Sequence, residues 1–216
     1  MKRANRTAVI IANGRFRPSS ALRALVADAE LLICADGGLR HARALGRAPQ
    51  LVVGDFDSAP PALAAWARRH RAKLLTYPEA KDKTDTELAL DAAAARGIRE
   101  IDFIAAMGGR PDHALANLLL LVRARRLGIT ARIHDGRCLL FLVDDARPLP
   151  AARGDTLSLI ALSESVAGVT TAGLGYPLKD GTLALGSSLG ISNVVLSVPA
   201  AVSVGNGLLL AVLIRG

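Results

Sequence analysis

A chain of 216 residues with 51% hydrophobic side chains is long enough to bury a real core and too apolar to stay disordered. Its net charge of +8 and pI of about 10.3 suit a nucleic-acid binder, but only 3% of residues are aromatic, which leaves few platforms for stacking single-stranded bases. The densest basic runs, Arg68-Arg69-His70-Arg71 and Arg123-Ala124-Arg125-Arg126, fall on polar faces or ends of predicted helices, so a solvated basic surface is expected, with neither nucleic acid nor membrane as partner.

The basic opening Met1-Lys2-Arg3-Ala4-Asn5-Arg6 precedes an apolar run too short for a secretory signal, which Asn13-Gly14-Arg15 interrupts. No run of about 18 residues is free of charge, Pro and Gly, so no membrane-spanning helix is expected. Strands are predicted at 7–12, 31–35, 51–53, 73–77, 101–106 and 130–134, alternating with helices at 20–28, 38–45, 61–71, 84–96 and 112–127. The last two helices stop at Gly97 and Gly128. Wholly apolar strands separated by helices imply a parallel sheet covered on both faces. Residues 1–135 are therefore expected to form a doubly wound α/β domain.

After a linker at 134–136 the pattern changes. Runs at 137–143, 156–162, 166–172, 182–185, 191–198 and 208–214 are short, Leu-rich or β-branched, and divided by Gly, Pro, Asp and Asn. Asn206-Gly207 reads as a hairpin turn. Residues 136–216 are expected to form an all-β sandwich or barrel. Cys34 and Cys138 lie in apolar runs without metal-ligand spacing, which fits a buried, reduced pair in a cytoplasmic protein.

In an open parallel sheet, ligands bind beyond the carboxyl ends of the strands. Here those ends are acidic despite the basic total: Asp36, Asp55 and Asp57, Asp82 and Asp85, then Asp112. Carboxylates gathered at one sheet edge repel each other unless cations sit among them. Hard oxygen donors suit Mg²⁺, which is held by one or two carboxylates plus substrate phosphates.

Within Gly54-Asp55-Phe56-Asp57-Ser58 the two aspartates point the same way in an extended loop and could share a metal or flank a phosphate. The plain alternative is a turn with Ser58 as a helix cap. In Lys81-Asp82-Lys83-Thr84-Asp85-Thr86-Glu87, Thr84 and Glu87 have capping-box spacing. The same helix start could equally bind an anion, with Lys81 on phosphate and Asp85 on metal, while Lys83 reads as readily as plain surface as part of that site.

In Gly108-Gly109-Arg110-Pro111-Asp112-His113 the glycines allow close approach, Arg110 can fork onto phosphate and Asp112 could be the N-cap. His113 alone reads as structural, though Asn117 shares its helical face. Cys34-Ala35-Asp36-Gly37-Gly38 is a generic tight turn by itself. No P-loop, Gly-x-Gly-x-x-Gly, zinc-spaced histidine pair or Gly-x-Ser-x-Gly elbow occurs. The residues alone point to a Mg²⁺-nucleotide enzyme and do not name the acceptor.

Taken in order, Asp36-Gly37-Gly38 and the three acidic segments resemble the motifs of thiamine pyrophosphokinases. Gly173-Leu174-Gly175-Tyr176-Pro177-Leu178 and Gly186-Ser187-Ser188-Leu189-Gly190-Ile191-Ser192-Asn193 look like that family's signature in the β half. The resemblance runs from about Asn13 to the end. It implies an ATP-binding catalytic α/β domain and a thiamine-binding, dimerising β domain, in a homodimer whose active sites lie at the subunit interface. By position, Asp55, Asp57 and Asp85 match the acidic residues that hold Mg²⁺ and the triphosphate. Asp36, Gly37, Gly38, Lys81, Asp82, Thr84, Gly109, Arg110, Asp112 and His113 match positions around the nucleotide and the transferred group. Ser192 and Asn193 match the segment that reads the thiamine pyrimidine.

The implied reaction is attack of the thiamine hydroxyl on the β-phosphorus of ATP, with AMP leaving. Asp85 or Asp57 could accept the hydroxyl proton. The chain departs from bacterial members at Val194, where they often carry an acidic residue, and no Phe, Tyr or Trp follows Tyr176. How the thiazolium ring is held is left open. The alternatives are transfer to another small alcohol, or a non-catalytic nucleotide sensor, for which several metal-binding carboxylates would be superfluous.

Overall fold

A computed structural model of the chain describes residues 6–55, 61–143 and 147–216. It divides into two compact units, Met1–Gly136 and Arg137–Gly216.

In the first unit, the described residues form six strands: β1 (Thr7–Ile11), β2 (Leu31–Ala35), β3 (Leu51–Gly54), β4 (Lys73–Thr76), β5 (Glu100–Ile104) and β6 (Thr130–Asp135). All pair in parallel, in the order β6-β5-β1-β2-β3-β4. The interior strands are apolar on both sides because both faces are covered. On one face Val9, Ile11, Leu32, Cys34 and Val52 pack with residues of α1 (Ser20–Asp28), α2 (Leu39–Leu45) and α3 (Pro61–Arg69). The alternate residues Ile10, Ile33 and Val53 are equally buried on the other face. There α4 (Asp85–Ala94) crosses β1, β2 and β3, and α5 (Pro111–Arg126) lies along β6. The fold class is α/β and doubly wound.

Chain order carries the strands from β1 outward to β4, and α4 then returns the chain to β5 on the opposite side of β1. The strand order thus reverses between β1 and β5, which opens a crevice at their carboxyl ends.

Local chemistry sets the helix ends. Ser19 Oγ accepts from Leu22 N (3.2 Å) and caps α1, and Thr84 Oγ1 accepts from Glu87 N (3.2 Å) and caps α4. Only half of the capping box forms, because the Glu87 carboxylate turns to Arg123 (3.5 Å). Asp112 is not the N-cap of α5. That place falls to Arg110, since Pro111, with fixed φ and no N–H, is best placed at the first helical position. Gly128, at φ +70°, ends α5 with Gly128 N donating to Arg125 O and Ile129 N to Ala124 O, both 2.9 Å.

The second unit is a sandwich and not a barrel. One sheet orders β12 (Asn193–Val194), β9 (Thr156–Ala161), β14 (Leu209–Ile214) and β7 (Cys138–Leu142). The other orders β11 (Gly181–Ala184), β10 (Ser165–Ala172), β13 (Ala201–Ser203) and β8 (Arg147–Pro148). Their inner faces share a core of Leu139, Leu157, Leu159, Val166, Val169, Leu183, Val202, Leu209, Ala211 and Leu213.

Three sequence expectations change here. Asn206-Gly207 is no hairpin turn: it carries the chain from β13 in one sheet to β14 in the other, and Asn206 O accepts from Ala167 N (3.0 Å). The run 191–198 pairs as a strand only at Asn193–Val194, with one further bridge from Val195 to Leu174. Beyond Val194 its backbone bonds go to loop residues, with Val195 N donating to Asp155 O (2.9 Å) and Leu196 N to Gly173 O (2.8 Å). Cys138 is half-buried, at the start of β7, while Cys34 is fully buried.

Candidate functional site

The crevice between β1 and β5 opens into a cavity of about 420 Å³. Ala12, Asn13 and Gly14 line it from the end of β1, and Ala106, Gly108 and Gly109 from the end of β5. The strand pairing persists past both ends, with Ala12 N donating to Ile104 O (3.0 Å) and Gly14 N to Ala105 O (2.7 Å). From α2, Arg40 Nη2 donates to Asn13 O (3.4 Å) and His41 Nε2 to Gly14 O (3.1 Å), with the His41 ring tilted against Phe16. Burial and the neighbouring Arg40 push the His41 pKa down, so the neutral ring with its proton on Nε2 is the form that makes this bond.

Asp36 enters the cavity from the end of β2. It sits at φ +43°, rare for a residue with a side chain, and opens the short 3-10 turn Asp36–Gly38. Gly37 and Gly38 are buried and do not line the cavity. A side chain at Gly38 would collide with Ile11 O, and one at Gly37 with Asn13. The glycine pair lets this turn nest on the end of β1, which aims Asp36 inward.

The loop before α4 and the first residues of that helix add Glu79, Lys81, Lys83, Thr84, Asp85 and Thr86. Lys81 Nζ lies 3.1 Å from Asp85 Oδ1 and 3.5 Å from Asp55 Oδ2. Burial raises the pKa of Asp85, and Asp36 and Asp55 raise it further; Lys81 only partly offsets them. Burial works against the Lys81 charge, but Asp85 and Asp55 outweigh it and hold the amine above the ordinary lysine value. Asp85 Oδ1 is buried, and no hydrogen bond of good geometry reaches it despite Lys81 nearby. Such an oxygen, backed by two further carboxylates, is a fitting ligand for a hard divalent cation. Among the described residues no three His, Cys, Asp or Glu side chains form a closed metal cage. An open carboxylate site completed by substrate phosphates is the usual Mg²⁺ arrangement.

From the start of α5 come Arg110, His113 and Asn117. Arg110 forks onto Asp112 (Nη2–Oδ2 2.6 Å, Nε–Oδ1 3.2 Å) and holds that carboxyl down at about 2. Asn117 is buried and donates to Ala106 O (2.8 Å), tying α5 to the end of β5.

The cavity therefore gathers Asp36, Lys81, Thr84, Asp85, Gly109, Arg110 and His113, with Asp55 one ion pair behind. Asp82 is exposed outside it, and Asp112 meets it only through Arg110. Asp57 and Ser58 lie outside the described residues. Asn13, Gly14, Glu79 and Thr86 were not picked out by sequence. Asn13 and Gly14 follow from the switch point, which depends on strand order.

In the β unit, Leu159, Tyr176, Pro177, Leu178, Ser188, Leu189, Gly190, Ile191 and Asn193 line a largely apolar cleft of about 440 Å³. Asn193 is buried there, and its side chain is engaged by backbone. Oδ1 accepts from Tyr176 N and Val194 N (both 2.9 Å), and Nδ2 donates to Tyr176 O (2.6 Å). It acts as a clamp on the Tyr176 loop. Ser192 is exposed at φ +58°, its N–H donating to Ser158 Oγ (3.0 Å), and does not line the cleft. Tyr176, 74% exposed, is among the residues that line the cleft. It stood in a quoted motif but was not singled out as a site residue.

Comparison with known proteins agrees with both halves. "Thiamin pyrophosphokinase, catalytic domain" matches residues 22–133, and "Thiamin pyrophosphokinase, vitamin B1 binding domain" matches residues 147–209. The thiamine pyrophosphokinase of Bacillus subtilis is 30% identical over 175 residues, covering 77% of this chain and 79% of that one. The crystal structure of the Bacillus subtilis protein superposes with a TM-score of 0.85 at 28% identity, covering 97% of this chain and 99% of that one. That from Geobacillus thermodenitrificans gives 0.81 at 29%, covering 97% and 98%. With the two matched domains following one another in this order along a chain of the same fold, this chain belongs to the thiamin pyrophosphokinase family.

Proposed function

We propose that the chain transfers the pyrophosphoryl group of ATP to the hydroxyl of thiamine, giving thiamine diphosphate and AMP, with Mg²⁺ as cofactor. The observation that carries this reading is the cavity at the β1–β5 switch point, where Lys81 is held between Asp55 and Asp85 beside Arg110 and His113. Cationic side chains and the backbone N–H groups at the start of α4 suit a polyphosphate, and the buried Asp85 oxygen suits the cation that accompanies one.

Asp85 and Asp55 would hold Mg²⁺, with Asp57 as a third candidate from the sequence. When bound, Mg²⁺ neutralises phosphate oxygens and stabilises the charge on departing AMP. The chain's own part is positioning and charge balance. Lys81 and Arg110 orient the phosphate chain so that the thiamine oxygen stands in line with the β-phosphorus and the α–β bridging oxygen. A bond forms from the thiamine oxygen to the β-phosphorus, the bridging P–O bond breaks, and the oxygen's proton passes to a carboxylate. Asp85 or Asp57 would take that proton, whichever of the two does not hold Mg²⁺.

For the acceptor, the Tyr176 ring at the apolar cleft supports cation–π contact with the thiazolium. Asn193 would act by fixing that loop. A homodimer with shared sites is part of the same reading. It is supported by the exposed apolar side chains Tyr176, Leu185, Leu189, Ile191, Leu196 and Val198, which a second subunit would cover. A cytoplasmic location is part of the same reading and is supported by Cys34, a buried thiol outside any disulfide. Among the described residues no helix is long and apolar enough to cross a membrane.

The deciding experiment incubates the protein with thiamine, ATP and Mg²⁺ and separates the nucleotide products. AMP and thiamine diphosphate in equal amounts are expected. ADP with thiamine monophosphate would make it a simple kinase, and no thiamine-dependent turnover would revive another acceptor.

A further inference from the structure

Lys83 is the one lysine of the acidic loop that the sequence leaves open between plain surface and site, and the structure gives it a specific setting. It lines the same cavity as Lys81 and Asp85, yet its Nζ is turned aside onto Asp91 Oδ2 at 2.7 Å. Asp91 lies almost two turns into α4, and its other oxygen accepts from Arg123 of α5 twice, Nη2 at 2.7 Å and Nε at 3.1 Å. Glu87 adds a second acid 3.5 Å from Arg123. The cluster therefore balances two acids, Asp91 and Glu87, against two bases, Arg123 and Lys83.

The two bases are unequal. Arg123 reaches across from α5 and gives Asp91 Oδ1 two hydrogen bonds; burial works to raise the Asp91 pKa, but Lys83 and Arg123 together outweigh it and lower it. Lys83 makes a single bond from a flexible stem, and its side chain is 42% exposed. If Lys83 departs, Asp91 keeps its Arg123 partner and no uncompensated buried charge is left behind, which is what makes breaking buried pairs costly. Lys81 differs, because two carboxylates hold it. A polyphosphate entering the cavity recruits Lys83 at lower cost.

We propose that Lys83 is a reserve phosphate ligand, held on Asp91 while the cavity is empty and transferred to a β- or γ-phosphate oxygen of the bound nucleotide. No covalent step is involved; one ion pair is exchanged for another. Asp91 is then a competitor of the nucleotide for Lys83, and this gives the two residues opposite signs. The proposal rests on the nucleotide reading of the cavity.

The test measures equilibrium binding of ATP and of AMP, each with Mg²⁺ and without thiamine, by calorimetry on the full-length protein, with thermal melting as a check on folding. Lys83→Gln is expected to weaken ATP about tenfold, the size of one charge-assisted hydrogen bond, and to leave AMP unchanged. Asp91→Asn keeps an amide oxygen for Arg123 and releases Lys83, so ATP should bind about threefold tighter. In a Lys83→Gln background the Asp91→Asn gain should vanish. Were Lys83 only a brace for the loop, both substitutions would weaken ATP together, and that result overturns the proposal, as does an unchanged ATP affinity in Lys83→Gln. Failure of the unaltered protein to bind either nucleotide would instead overturn the nucleotide reading of the cavity itself, and the exchange with it.

Discussion

Lys81 Nζ lies 3.1 Å from Asp85 Oδ1, one turn along the start of α4, and the geometry leaves that buried oxygen without a proper hydrogen bond. The pair is thus held together by charge and remains open to a stronger cation. A site that keeps a carboxylate buried and under-satisfied carries a cost to folding that a ligand can relieve.

From this relationship Asp85→Asn should lower kcat by at least about 100-fold, the scale of a lost general base or charge stabiliser. The same variant should melt at a higher temperature than the unaltered protein in Mg²⁺-free buffer. Burial and the neighbouring Asp36 and Asp55 disfavour the charged form of Asp85 in the folded state, and the amide removes that penalty. Steady-state kinetics and thermal melts in chelator check both halves. A variant that loses activity and stability together would show Asp85 to be a structural partner of Lys81 and nothing more.

Away from the site, Asp102 on β5 is buried. It accepts from His134 Nε2 (2.8 Å) and from Arg132 Nε (2.9 Å) and Nη2 (3.3 Å) on β6. Burial works to raise its pKa, but the His134 bond and the Arg132 charge prevail and lower it. A carboxyl depressed by folding contributes stability that is present above its unfolded value and lost as pH falls through its folded one. Asp102→Asn should therefore cost about 2 kcal/mol at neutral pH. The deficit should close as acid titrates through the region below the usual carboxylate range. Denaturant melts at several pH values measure it, and a deficit that does not change with pH would assign the loss to packing.

Much of this was legible in the sequence, and the parts that were not share a cause. The interior strands of the first unit are visible because their apolar runs are buried on both faces, and α2, α4 and α5 are each followed by a glycine at positive φ, Gly46, Gly97 and Gly128. The short strands Arg147–Pro148 and Ala201–Ser203 carry no such signal, because among the described residues β8 pairs with β13 and β13 with β8 and β10, partners far away in sequence. Asn206-Gly207 has hairpin chemistry, yet tertiary pairing sends its two flanking strands to different sheets. In the site, acidic and basic residues announced themselves by type, whereas Asn13 and Gly14 matter only because β5 pairs beside β1. Asn193 was recognisable as polar and unusual, but its engagement with both the N–H and the carbonyl of Tyr176 belongs to the folded chain.

Assembly can be read by complementation. If each active site combines the acidic cavity of one subunit with the Tyr176 cleft of another, an Asp85→Ala variant and a Tyr176→Ala variant are each impaired. Unfolding and refolding an equimolar mixture should restore up to about one quarter of the unaltered activity, since half the dimers are hybrids and one of their two sites is intact. Sedimentation confirms the dimer. Absence of recovery from a mixture that does form hybrids would place both residues in one subunit's site.

The acceptor end offers the sharpest separation of roles, because Tyr176 and Asn193 are bonded to one another yet face different tasks. Tyr176 is exposed and lines the cleft, while Asn193 spends its amide on the Tyr176 and Val194 backbone. Tyr176→Phe keeps the ring face and should leave the thiamine KM within about twofold. Tyr176→Ala removes it and should raise that KM roughly tenfold, in line with a partly desolvated cation–π contact. Asn193→Ala leaves two backbone N–H groups and a carbonyl of a tight loop unpaired, which costs about 1–3 kcal/mol of stability. It should raise the thiamine KM as well, through a displaced Tyr176. In all three variants the ATP KM should stay near its starting value, because the nucleotide cavity is built from the other unit. Ser192→Ala, at an exposed position outside the cleft, should do least of all. A larger thiamine effect from Ser192→Ala than from Tyr176→Ala would reverse this assignment and return acceptor recognition to the Ser192-Asn193 pair itself.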